Sequence, residues 1–511
     1  MAPPALHPLK ELDAAREWQA WQPDERRHWD RKWAGHLYRR AGFGATLDEL
    51  RAAERRGPQA TIDLLLKGEP ECDELMPALV TAGQYTADAN QPAALRGWWL
   101  YCMLHSGHPL REKLTLFWHN HFATSIAKVH STKEMFNQNK LLREHALGKF
   151  GPFLLAMSKD AAMIHWLDSN SNIKGKANEN YAREVMELFS LGVGHYQEKD
   201  IREAARAFTG WHTDSDGFGF AFNARLHDDG VKTVLGQTGN WNGDDVVRII
   251  LKQPATAQFL VRKLYRFYVS ETHEVPDSFL EPLAESFRKS DYDIAALLRT
   301  MLSSRHFFSD YAFRQRIKNP VEYVLGAVRS VYREYDPKDK DHQPLTQQDL
   351  VRRIDEMGQL LFAPPNVKGW RGAKAWLNTS TVLSRDNFAQ ALAMGTLWGG
   401  GNGNDVVLSK FAVRPPDAVP TAPSKPADKP EESARPKAFD PARVIHEEKV
   451  TSGKDIVRVL LDVYLPGGVR PASEAKLIAF VEAGHPKGAA LDRRVRETVH
   501  AILTMPEYQL A

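Results

Sequence analysis

The sequence predicts a mainly α fold, a large helical bundle-like domain with irregular loops, on three observations. Apolar residues recur at spacings of three and four along most of the chain, strand-like alternation is scarce, and Gly or Pro breaks separate the periodic segments. With 511 residues, 43% of them apolar and 26% charged, the chain has the material for a large buried core.

Taken in order, residues 1–32 read as an N-terminal helical extension and residues 33–411 as the main helical domain. Within the latter, periodicity predicts helices from Asp48 to Leu66, Pro92 to His105, Pro109 to about Phe122, Asn180 to Leu191 and Lys199 to Trp211, then over 254–270 and 294–308. Ser106-Gly107-His108-Pro109 ends one helix and opens the next with Pro in its first turn, and Gly192-Val193-Gly194 closes the central one. Between Gly217 and Gly243 the run Phe218-Gly219-Phe220-Ala221-Phe222 can supply a short β-hairpin. The glycine run Gly399 to Asn404 follows a helix rather than a strand and so reads as a loop, not a phosphate cradle. Residues 412–441 are proline-rich without apolar periodicity, which marks a linker or insert. Residues 442–511 carry three helices, Lys454 to Leu465, Ser473 to Ala483 and Asp492 to Met505, with too little surface to stand alone and so expected to pack on the main domain.

Composition narrows the function classes. Lys and Arg total 67 against 64 for Asp and Glu, so no basic footprint for nucleic acid is present. Cys72 and Cys102 lack zinc-site spacing and read as free core thiols. No run of 18 apolar residues occurs, so no membrane span is expected. The first ten residues lack a basic segment followed by an apolar run, so a cytoplasmic location is expected of the chain as given.

The chemistry-bearing residues fall in two clusters. The run Asn178-Glu179-Asn180-Tyr181-Ala182-Arg183-Glu184-Val185-Met186-Glu187 continues to Gly192 and puts a polar row on an amphipathic helix. At about 100° per residue, Asn180, Glu184, Glu187 and Leu191 share one face, with Arg183 beside them. Upstream stands Phe117-Trp118-His119-Asn120-His121-Phe122. On an unbroken helix His119 and His121 point about 200° apart, so both reach one ion only if the helix ends near Asn120. Imidazoles are common ligands of transition metals, and equally common as interior groups satisfied by hydrogen bonds. Glu184 and Glu187 resemble one half of a helix-bundle metal site, with Glu where that half-site has His. The main alternative to a metal is a buried ion-pair network of Arg183 with Glu203, or Arg206 with Glu184.

Other features weigh less. Asp168, Asn170, Asn172, Asn178 and Asn180 form a carboxamide-rich approach to the helix, with Asn178 or Asn180 as N-cap, and Gly175 is misplaced for a calcium loop. His195 reads as a surface or C-terminal cap residue. Leu361 to Trp370, with Trp376, Asn378 and Arg385, has the prolines and glycine of a rigid loop whose Asn, Lys and Trp side chains can line a pocket.

Arg39-Arg40-Ala41-Gly42-Phe43-Gly44, Lys113 through Thr124, Asn178 through Gly192, Ala204 through Trp211 and Phe362 through Trp370 with Trp376 together resemble a bacterial family called domain of unknown function 1800. The resemblance covers roughly residues 33 to 510, interrupted by the proline-rich insert. It implies a large, mainly helical bacterial protein without an established activity. It also implies relatives that are often exported and often encoded beside proteins resembling sulfatases and alkaline phosphatases, hence a sulfatase-like or phosphatase-like protein partner by association.

The reading that unites both clusters is a metal-dependent hydrolase. His119, His121 and Glu184 are its expected ligands, Glu187 a further ligand or general base, and Asn180 and Arg183 orient the substrate. Zinc, iron or manganese suits such donors, which keeps an oxidoreductase within the same geometry. A different class is a non-catalytic binding or maturation partner with a buried polar network, its Trp370/Trp376 loop gripping the other protein. A third is metal-free catalysis by Glu184 and Glu187 as acid and base.

Overall fold

A computed structural model describes residues 8–25, 27–69, 72–331, 347–395 and 440–511. The Gly399–Asn404 run, the Cys72 side chain and all but the last two residues of the 412–441 segment lie outside the described residues. The fold is mainly α, with two small antiparallel two-stranded sheets among the described residues. None of the described helices is long and apolar enough to cross a membrane.

Local chemistry explains where the helices start and stop. The helix Pro109–His121 opens with Pro at its first turn and with His108 accepting the Arg111 N–H, and it ends at Phe122. The single helix expected from Asp48 to Leu66 is two, Leu47–Arg56 and Pro58–Lys67. Gly57 between them has φ +85, a left-handed conformation that ends the first helix, and Pro58 then starts the second. The polar-row helix is shorter than expected, Asn180–Glu187, so Leu191 lies beyond it. The turn that follows it closes at Gly192, which has φ +83 and packs so closely on Phe259 that a methyl there would stand 2.9 Å from the ring. The next helix, Glu198–Ala207, also stops early, because Trp211 belongs to a strand. That strand, Trp211–Thr213, pairs with Phe220–Phe222, and a second hairpin joins Lys232–Val234 to Gln237–Gly239. The helix expected over 294–308 is Ile294–Ser303.

Two apolar cores result, and the helix Pro109–His121 separates them. Leu110, Leu114, Phe117 and Trp118 enter one, with Phe150, Val185, Phe189 and Leu264. Leu116 enters the other, with Trp99, Val324, Phe362 and Phe388. The C-terminal helices Gly453–Tyr464, Pro471–Glu482 and Ala489–Thr504 contribute Leu460, Val499 and Leu503 to this second core, and Tyr323 Oη donates to the Leu503 carbonyl at 3.1 Å. Because side chains two apart on a helix diverge, His119 turns toward the second core and His121 toward the first.

Candidate functional site

The imidazoles occupy different surroundings. His119 is buried against the rings of Trp99, Phe362 and Trp370, and its Nε2 accepts the Phe362 backbone N–H at 3.1 Å. That bond uses the Nε2 lone pair, so the proton of the neutral ring sits on Nδ1. His121 is buried among Trp118, Phe122 and Phe189, with its Nε2 3.1 Å from the Phe189 carbonyl oxygen, to which it must donate. Burial lowers the pKa of His119 to about 3 and that of His121 well below its ordinary value, the latter helped by Lys263. Each ring is thus a neutral spacer bonded to a different backbone segment. Among the described residues no group of three or more His, Cys, Asp and Glu side chains is gathered so as to hold a metal ion.

The carboxylates do come together. Glu184 and Glu187 are both half-buried on the short helix, and burial, then the Glu187 charge, raise the Glu184 pKa above its ordinary value. Glu187 accepts the Tyr196 hydroxyl at 2.6 Å and stands 3.9 Å from Lys368 Nζ. Tyr196 is in turn pushed up to about 12, by burial first and then by the Glu187 hydrogen bond, so it stays a donor. Arg183 does not join them. Its guanidinium bridges Glu198 at 2.8 Å and Glu179 at 3.2 Å, while Arg206 pairs with Glu203 at 3.0 Å and Asp228 at 2.8 Å. Neither expected pairing, Arg183 with Glu203 or Arg206 with Glu184, is therefore the one formed. Asn180 is exposed, its N–H bonded to Asn178 Oδ1 at 2.9 Å and its amide 3.5 Å from Asp168, and His195 is exposed.

The third component is the loop 361–378, pinned to the C-terminal end of the helix Pro109–His121. His119 receives the Phe362 N–H, and Asn120 Oδ1 accepts the Trp370 N–H at 2.7 Å. Gly369 makes the second contact possible: it has φ +72, and a methyl there would stand 2.1 Å from Asn120 Oδ1. One side of the loop carries Lys368 to Glu187. The other walls a cleft of about 300 Å³ with Trp370 and Trp376, edged by Asn366, Arg371 and Asn378. The pocket expected from this loop's Trp and Asn residues is present, without Lys368 in its lining.

The chain belongs to DUF1800. The family model, described as a protein of unknown function, matches residues 36–510. No curated protein and no solved structure matches the chain. Membership therefore gives the DUF1800 chain a family without an activity.

Two groups beside the site had no sequence signal. Tyr196 follows the helix across a Gly-Val-Gly turn, where no periodicity ties it to Glu187. Lys263 sits on the helix Pro254–Tyr268, over the Phe259 ring with its Nζ 3.4 Å from the Leu188 carbonyl, and burial lowers it to about 7. Arg262 and Arg266 on the same helix leave Lys263 indistinguishable in sequence from a solvated cation.

Proposed function

We propose that this DUF1800 chain is a hydrolase in which Glu184 and Glu187 act as acid and base without a metal. The observation that carries the reading is a carboxylate pair whose members have different partners, Glu187 meeting Tyr196 and Lys368. Glu184, raised by burial and by its neighbour, favours the protonated form that donates a proton. Glu187, oriented by the Tyr196 hydroxyl and close to the Lys368 ammonium, is the partner that takes a proton from water. Lys368, 3.9 Å from Glu187, would face a negative charge that develops on the substrate.

The donor set fits the metal-dependent version less well. The Nε2 lone pair of His119 is spent on the Phe362 N–H, and His121 donates from Nε2 to Phe189, so the two rings do not offer paired lone pairs to Glu184. A panel of chromogenic esters, amides, glycosides, sulfate esters and phosphate esters, assayed with and without chelator, tests the choice. Turnover that survives chelation and falls by about 100-fold or more in Glu187→Gln is expected, the range for loss of a general base. Turnover abolished by chelation would return the site to the metal reading.

A non-catalytic binding role has one observation of its own: the cleft lining contains no carboxylate. Under that reading no member of the panel is turned over, and Trp376→Ala, not Glu187→Gln, abolishes ligand-induced changes in tryptophan fluorescence.

A further inference from the structure

Away from the carboxylate site, the described structure buries far more positive than negative charge in one neighbourhood. Arg39, Arg40, Lys113, Arg316, Lys318 and Arg385 are each nine-tenths or more buried. Their most buried carboxylate is Glu322, which pairs with Lys113 and Arg316 and accepts the Asn319 N–H at 2.9 Å, and the less buried Glu271 also acts on Arg40 and Arg316. Burial alone would raise Glu322, but Arg316 and Lys113 hold it down to about 2, so its single charge is present and already shared. Arg385 donates from its two terminal nitrogens to neutral oxygens, Gln509 Oε1 at 2.9 Å and the Lys318 carbonyl at 2.8 Å, and only its Nε lacks a partner among the described residues.

Arg39 is different. It is 9% exposed, and none of its three guanidinium nitrogens has a hydrogen-bond partner among the described residues. Buried guanidinium groups are ordinarily paired, because removing such a charge from water unpaired is very unfavourable. Arg39 borders a cavity of about 30 Å³, lined also by Lys318, Glu322, Tyr508, Gly35 and Ser330. Lys318 Nζ lies 3.5 Å from the Tyr508 ring centroid, and burial, then the Arg39 charge, lowers its pKa well below the ordinary value, a shift that an anion beside it would oppose. Burial pushes the Tyr508 hydroxyl well above its ordinary value, so it supplies no negative charge. The cavity's room is more than the roughly 10–15 Å³ of such space that a single water needs, so a small ligand fits.

We propose that this cavity is a binding site for a monovalent, halide-sized anion, held by the unpartnered Arg39 guanidinium and by Lys318, with the Tyr508 hydroxyl as a neutral donor. The Glu322 carboxylate on the wall disfavours an anion with a second negative charge. The anion would balance a buried charge excess and so couple halide concentration to the packing of the C-terminal helices, whose Val463 and Tyr464 line the same cavity.

Crystals of the full chain grown in bromide give the direct test, with an anomalous difference peak expected within hydrogen-bond distance of Arg39. In solution, the melting temperature of the wild type should rise by a few degrees when gluconate, too large to enter, is replaced by chloride at equal ionic strength. Arg39→Met should lose that difference and Lys318→Met should reduce it. If both variants fail to fold, the bromide map and the wild-type comparison decide alone. No bromide peak in the cavity, Arg39 paired there with a carboxylate of the chain itself, or equal wild-type melting in the two salts overturns the proposal.

Discussion

At the scale of single residues, the charge state of Glu184 is the quantity on which the proposed chemistry turns, and its neighbours fix the sign of every change. Lys368 favours the ionised form and Glu187 disfavours it. Lys368→Met should therefore raise the Glu184 pKa further, and Glu187→Gln should lower it. Carboxyl carbon shifts followed by NMR across pH read both, and a Glu184 titration identical in the two variants would separate the carboxylates electrostatically. Gly369 offers a steric counterpart. With φ +72 and Asn120 Oδ1 2.1 Å from the place of a methyl, Gly369→Ala combines backbone strain with a clash. A loss of about 1–3 kcal/mol in denaturant-derived stability is expected, together with altered Trp370 fluorescence. An unchanged variant would mean that the loop is not held against Asn120.

At the scale of elements, the loop 361–378 and the helix Pro109–His121 behave as one unit, joined where His119 and Asn120 accept backbone N–H groups. Asn120→Ala leaves the part-buried Trp370 N–H without its acceptor, which should destabilise the fold by about 1–3 kcal/mol and loosen the Trp370–Trp376 cleft, seen as faster amide exchange over 366–376. Exchange unaltered there would show that His119 alone suffices. These joints explain what was legible beforehand. Helix periodicity and the Pro109 start placed the imidazoles on one helix and the glutamates on another, and residue types alone marked 361–370 as a rigid, pocket-lining loop. What periodicity does not encode is the destination of a lone pair. His119 and His121 look like one pair of ligands in sequence, yet two residues on a helix point into opposite cores, and each finds a backbone group of a remote segment. Gly57 divided an expected helix because a left-handed residue stops a helix whose apolar spacing would allow it to continue. The buried cations have no sequence signal for a related reason: Arg39, the Arg316/Lys318 pair and Arg385 are far apart in the chain, and near-balanced overall charge hides a local excess.

At the scale of the whole molecule, burial of neutral histidines makes stability depend on pH in a definite direction. Burial, first among the causes, lowers His105 and His108 to about 4 and His119 to about 3, and lowers His36, His121 and His306 from the ordinary 6.5. As pH falls below 6.5 the unfolded chain takes up protons at these positions while the folded chain does not. The unfolded state then binds more protons, so stability is fully present above about pH 6.5 and declines progressively toward pH 3, by up to about 1.4 kcal/mol per pH unit for each such histidine. Asp160 leads the groups that oppose this trend: burial raises it to about 7, and raises Glu184, Glu271 and Asp462 as well, so its contribution is present at low pH and fades as pH rises through that value. The histidines outnumber these groups, and net acid lability is expected between pH 6.5 and 4. Urea midpoints at pH 7, 6 and 5 should fall in that order, and His119→Gln, whose amide oxygen can still accept the Phe362 N–H, should flatten the slope by as much as one proton. Midpoints that stay level from pH 7 to 5 would require imidazoles that are charged, or equally accessible, in the folded state, which the enclosure of His119 between Trp99, Phe362 and Trp370 does not permit.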